Sequence, residues 1–201
     1  MSAASRARSR TALFATASAA VAALTLSACS SGGTSGGGGD TNFVAGGNGI
    51  DTVAKGERAV APVLSGETID GKQLTTAATK GKILVINVWG SWCPPCRAEA
   101  ESFQTVYTDV KDQGVEFVGI NTRDTSTTPA KAFEKEFGIT YPSLYDPTGK
   151  QMLRFKKGTL NPQAIPSTLV IDRQGKLAAR ALTPIGEETL RSMIKPVLAE
   201  K

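Results

Sequence analysis

The 201-residue sequence contains no histidine. This excludes Cys–His and Ser–His catalysis and every metal site that needs imidazole. Cysteine is scarce: Cys29, Cys93 and Cys96 are the three present. One chain therefore cannot assemble a four-cysteine zinc site, and no metal or cofactor is expected. A dense basic stripe is also missing. The net charge is +5, but Arg6, Arg8 and Arg10 lie in an acid-free N-terminal stretch, and residues 29–201 carry 20 bases against 18 acids. That near-balance argues against a nucleic-acid surface. What is present suits one globular domain with additional segments: 40% of the residues are hydrophobic.

The extra segments come first. After the three arginines, Thr11 to Leu26 is uncharged and rich in Ala, Leu and Val, and the small residues Ser27 and Ala28 follow. This order is that of a secretory signal, residues 1–28, and the apolar run is short for a permanent transmembrane helix. Leu26-Ser27-Ala28-Cys29 resembles the lipobox of bacterial lipoproteins. The resemblance implies that Cys29 is lipidated and tethers the chain to the outside of a cell membrane, where two acyl chains suffice for stable attachment. Residues 29–58, with Gly36 to Gly39 and Gly46-Gly47-Asn48-Gly49, have the composition of a flexible linker. The folded domain is expected over 59–201.

Within that domain Val60 to Leu64 suggests a first strand. Gly66 to Gln73 approaches a P-loop pattern, but Gln73 stands where the magnesium-binding Ser/Thr belongs, and a strand–turn–strand with Asp70-Gly71 at the turn fits better. Ile83 to Trp89 is a near-continuous apolar run, the signature of a strand buried on both faces. A helix from Cys93 to Gln113 follows, with Pro94 and Pro95 in its first turn and Gly114 as its stop. Cys96, Ala100, Phe103, Tyr107 and Val110 form its core-facing stripe. Further strands are expected over 115–120, 167–171 and 176–182, with helices over 129–137 and 187–198 and a short strand and short helix within 144–155. The pattern predicts an α/β fold: a mixed central β-sheet with helices on both faces, an N-terminal strand extension and a central insertion.

Cys93-Pro94-Pro95-Cys96 carries the chemistry. Cysteines three apart approach disulfide distance at a helix start, where the first need not be helical. A helix N-terminus also favours thiolate over thiol. Cys93 is expected to be the exposed attacking sulfur. Cys96, on the core stripe, would resolve the mixed disulfide. Trp92, Pro94 and Pro95 would line the substrate groove.

Trp89-Gly90-Ser91-Trp92-Cys93-Pro94-Pro95-Cys96-Arg97 resembles the active-site segment of the thioredoxin superfamily. The exported anchor and the segment between Asn121 and Phe155 resemble its TlpA and ResA branch. The resemblance covers about 59–198 and implies thiol–disulfide exchange on client proteins, with electrons from a membrane thiol donor. Roles in the branch include reducing cysteines for cytochrome c assembly. Ile165-Pro166-Ser167-Thr168 matches the family's cis-proline loop, which implies that Ile165 and Pro166 border the cysteine pair and bind substrate. Asn87 stands where cytosolic thioredoxins carry a buried Asp. Glu99 matches a Glu that the exported branch keeps, and could handle the proton of Cys96; complementing the helix dipole is the other reading. Pro94 and Pro95 remove two N–H donors from the Cys93 sulfur, which points to a reducing bias. Three rivals have the same fold class, of which a copper-binding protein of the Sco type would use a wider cysteine pair and a histidine, both missing here. A peroxiredoxin-like enzyme would show Pro-x-x-x-Thr/Ser-x-x-Cys, but Ile86 and Gly90 occupy those positions. A non-catalytic binding module would keep the pair as a structural disulfide.

Overall fold

The computed structural model describes residues 41–200. The signal segment, Cys29 and the linker up to residue 40 lie outside the described residues. The chain forms β1 (Val44–Ala45), β2 (Ile50–Thr52), β3 (Ser65–Glu67), β4 (Gln73–Thr75), β5 (Ile83–Trp89), α1 (Pro94–Val110), β6 (Val115–Thr122), α2 (Thr127–Glu136), β7 (Ser143–Asp146), β8 (Ser167–Ile171), β9 (Leu177–Ala181) and α3 (Glu187–Ala199). Seven strands make one sheet in the order β1-β2-β9-β8-β5-β6-β7, and β3 and β4 pair separately.

All seven residues of β5 are buried, because both sheet faces are covered at the centre. Alternate residues point to opposite faces. Ile83 and Val85 enter one core with Phe103 and Val106 of α1 and Leu190 and Ile194 of α3. Leu84, Ile86 and Val88 enter another, closed by Met152, Phe155 and Leu160 and by Phe43, Val53 and Leu64. Trp89 stacks on Phe133 of α2, with ring centroids 4.2 Å apart. No described helix is long and apolar enough to cross a membrane.

Two registers place the functional region. β5 runs parallel to β6 with Trp89 opposite Asn121, and antiparallel to β8 with Val88 opposite Ser167. The residues after Trp89, those after Asn121 and those before Ser167 therefore meet at one edge. This is the carboxyl end of a central strand, the usual ligand position in open α/β sheets.

The N-terminal boundary differs from the sequence expectation. Residues 41–58 are not a flexible linker. β2 extends the sheet by antiparallel pairing to β9, and β1 pairs antiparallel to β2 at the edge; Phe43 and Val53 are buried. The glycines that suggested flexibility serve a tight turn: a Cβ on Gly46 would lie 2.6 Å from the Ile50 carbonyl oxygen. Arg58 closes this segment onto the C-terminus, donating to Asp172 at 3.0 Å and to both carboxylate oxygens of Glu200 at 2.8 and 2.6 Å. Nor is 60–64 a sheet strand. Val60 makes an isolated bridge to Lys176, and of this run Leu64 alone is fully withdrawn from solvent. The β3–β4 hairpin does turn at Gly71, whose φ is 83°.

Candidate active site

β5 ends at Trp89, and Gly90 must lack a side chain: a Cβ there would lie 2.7 Å from Trp92 Nε1 and 3.0 Å from the Thr122 carbonyl oxygen. Trp92 folds back over this spot, donating from Nε1 to that carbonyl at 3.3 Å. Cys93 then caps α1. Its extended backbone (φ −90°, ψ 106°) turns the sulfur toward the first helical turn, where the Cys96 N–H donates to Sγ at 3.3 Å. Pro94 and Pro95 occupy the positions whose N–H groups have no intrahelical partner, so their lack costs the helix nothing.

Cys93 and Cys96 are disulfide-bonded, with Cα atoms 5.3 Å apart. The expectation of an exposed Cys93 needs correction: it is 2% exposed, and Cys96 1%. The burial has a topological cause. The β5–β8 register brings the Ile165–Pro166 loop over the pair, and the Ile165 carbonyl oxygen lies 3.9 Å from Cys93 Sγ. The Ile165–Pro166 peptide bond is cis. Solvent reaches the collar instead: Trp92 is 47% exposed, Pro94 is exposed, and Pro95 and Ile165 are half-buried. Of the sequence-predicted groove residues, Ile165 meets the Cys93 sulfur across space, Pro166 follows it through the cis bond, and Trp92, Pro94 and Pro95 adjoin Cys93 along the chain.

Glu99 lies one turn beyond Cys96 on the buried side of α1 and is 4% exposed. Asn87 Nδ2 donates to one carboxylate oxygen at 2.9 Å, and the Ile185 N–H to the other at 3.1 Å. Burial raises its pKa from 4.5 to about 7, against the pull of those two hydrogen bonds. Desolvation dominates because charge is costly inside the core. Its environment is not that of an exposed first-turn acid serving the helix dipole.

A profile of the AhpC/TSA family matches residues 58–180. The chain belongs to the AhpC/TSA family. This AhpC/TSA protein is 30% identical to the thiol-disulfide oxidoreductase ResA of Bacillus subtilis over 151 residues, 74% of this chain and 80% of the relative. It is 31% identical to the thiol:disulfide interchange protein HelX of Rhodobacter capsulatus over 153 residues, 76% and 81% of the two chains. Its fold matches that of a secreted thiol-disulfide isomerase from Corynebacterium glutamicum with a TM-score of 0.71 at 28% identity, covering 77% of this chain and 94% of the other. The AhpC/TSA protein is therefore a ResA-like thiol–disulfide oxidoreductase with a thioredoxin-like fold.

Two functional-site residues of this AhpC/TSA protein were not visible in its sequence. Asp124, buried, accepts from the Ser91 N–H at 3.0 Å, from Ser91 Oγ at 2.5 Å and from Asn121 Nδ2 at 2.6 Å. Its own carbonyl accepts from the Tyr145 hydroxyl at 3.1 Å. The carboxylate thereby pins the turn that carries Trp92 and Cys93. Arg123, exposed, places its guanidinium carbon 5.4 Å from the centre of the Trp92 ring. An Arg-Asp pair after a strand reads as an ordinary polar loop. The β5–β6 register alone brings it to the cysteines.

Proposed function

We propose that this oxidoreductase is held outside the cytoplasm on the cell membrane by a lipidated Cys29, and that it reduces disulfides in client proteins. The observation that carries the reducing assignment is the surroundings of Cys93 Sγ. One backbone N–H, that of Cys96, is directed at it, since Pro94 and Pro95 have none to offer. A weakly stabilised thiolate makes the dithiol form less favourable, and so a better reductant. In the forward reaction the Cys93 thiolate attacks a client disulfide. The client S–S bond breaks, one client sulfur leaves as a thiolate, and a mixed disulfide forms. Cys96, deprotonated with the help of Glu99, attacks Cys93 Sγ and releases the second client thiol. The chain is left as the Cys93–Cys96 disulfide, having given up two electrons, and a membrane thiol donor must restore it. Cysteine pairs awaiting haem in cytochrome c assembly are the client class that the ResA-like resemblance suggests.

Equilibration of the purified protein against glutathione tests the direction. The expected potential is more negative than about −200 mV, and a value near that of DsbA, about −120 mV, would reverse the assignment. Anchoring is tested by Cys29→Ala, which should move the protein from the membrane pellet to the soluble fraction, because lipidation supplies the attachment. Retention of the variant in the pellet would refute the anchor.

A further inference from the structure

Arg123 has a backbone that other arginines in the domain do not share. Its φ is 59°, in the left-handed region that L side chains avoid. Such outliers persist where surrounding structure enforces them, and they concentrate at ligand clamps and active sites. Here the enforcement is visible. Asp124 is locked inward on Ser91 and Asn121, while Arg123 is turned outward across the mouth of the site. Its Nη2 donates to the Pro162 carbonyl oxygen at 2.6 Å, in the segment that leads to Ile165. Its guanidinium lies over the exposed face of Trp92, the residue before Cys93. The cation is thus fixed between the two walls of the collar around the cysteine pair.

Its charge is not offset. Among the described residues no carboxylate lies within ion-pair distance of Arg123. The contrast is Arg97, on the first turn of α1, which is bonded to Glu136 at 2.5 Å and packed against Phe133 and Phe137. The two acids nearest the site are turned away from solvent: Asp124 is saturated by donors from Ser91 and Asn121, and Glu99 lies beneath α1. A guanidinium has five donors in a planar fork suited to a carboxylate. With one nitrogen committed to Pro162, the others remain for a ligand.

We propose that Arg123 is a specificity-determining residue that binds an acidic side chain flanking the client disulfide, so that clients with Asp or Glu beside the reacting cysteine are reduced fastest. This deepens the reductase reading and rests on it.

The test uses the full-length protein, reduced and freed of reductant. Short peptides carry one internal disulfide flanked by Asp, Asn or Lys, and the rate of peptide thiol release is measured for each. Wild type should reduce the Asp-flanked peptide about fivefold faster than the Lys-flanked one at low salt, the size of a partly exposed ion pair. The ratio should shrink at high salt. Arg123→Lys should keep the order, Arg123→Ala should abolish it, and Arg123→Glu should reverse it. A structural role alone would slow all three peptides together and leave the ratio unchanged in every variant; that result would overturn the proposal while leaving the reductase reading intact. Failure of wild type to reduce any of the peptides would overturn both.

Discussion

Cys93→Ser lowers the rate of insulin disulfide reduction by more than about a thousandfold, the scale of losing a covalent nucleophile. Sulfur is required because a thiolate attacks a disulfide at neutral pH, and the mixed disulfide it forms leaves a sulfur at position 93 that Cys96 can attack in the resolving step. The fold should survive the change. Cys93 is the N-cap of α1 and accepts the Cys96 N–H, and serine is among the preferred residues for that role. The variant therefore separates chemistry from stability, and its circular dichroism should match that of the parent. Cys96→Ser is expected to behave differently. It retains the attacking sulfur but lacks the resolving one, so it should accumulate client mixed disulfides through Cys93. The two variants together also address the reading of the pair as a purely structural disulfide. Insulin reduction by Cys93→Ser within about tenfold of wild type would eliminate the nucleophilic role, as would a Cys96→Ser protein that captures nothing.

Elements governed by local pattern were legible in the sequence. Ile83–Trp89 is a continuous apolar run because both sides of β5 are covered, and that run identified the central strand. The proline-bearing first turn opened α1, which ends at Val110 rather than at Gln113; Gly114 instead closes the short 3-10 turn over Lys111–Gln113 that follows. Ser167–Ile171 appeared at its observed limits. Elements that depend on distant partners were not legible. β1 and β2 are two and three residues long, too short to show a period, and sit beside glycines. β2 is a strand through its pairing with β9, some 130 residues later, a separation that no local window spans, and β1 pairs in turn on β2. Val60 to Leu64 failed in the opposite sense: its apolar residues suggested a strand, yet Val60 and Val63 face solvent. At the site, the cysteines and the Ile165–Pro166 loop were recognised from short motifs. The burial of Cys93 was not, since it is created by a loop more than seventy residues away crossing above it. Likewise the ties from Asp124 to Ser91 and from Ile185 to Glu99 join segments whose adjacency exists only in the assembled sheet.

Glu99 provides a test in which stability and catalysis must change together. Its carboxyl titrates near 4.5 when solvated and at about 7 when folded, chiefly through desolvation. Between those values the folded chain holds a proton that the unfolded chain has released. Stability therefore falls as pH rises through this window and levels off above it, a contribution of roughly 3 kcal/mol. Glu99→Gln removes that dependence. It also introduces a fixed cost, because Asn87 Nδ2 and the Ile185 N–H both donate to this side chain, whereas an amide offers one acceptor oxygen and sets its NH2 against the other donor. The variant should be less stable than wild type at pH 4.5 by about 1–3 kcal/mol, and urea titrations should show that deficit closing or reversing by pH 7.5. On the proposed role of Glu99, its ionisation near pH 7 supplies the base for the Cys96 proton, so resolution of the mixed disulfide should accelerate through that pH in wild type. In Glu99→Gln the inflection should shift toward the ordinary thiol value, about 8.5, with the rate at pH 7 reduced about a hundredfold. Loss of stability alone would leave the pH profile of resolution in place. An unshifted inflection in the folded variant would thus assign Glu99 to the core and exclude it from proton transfer.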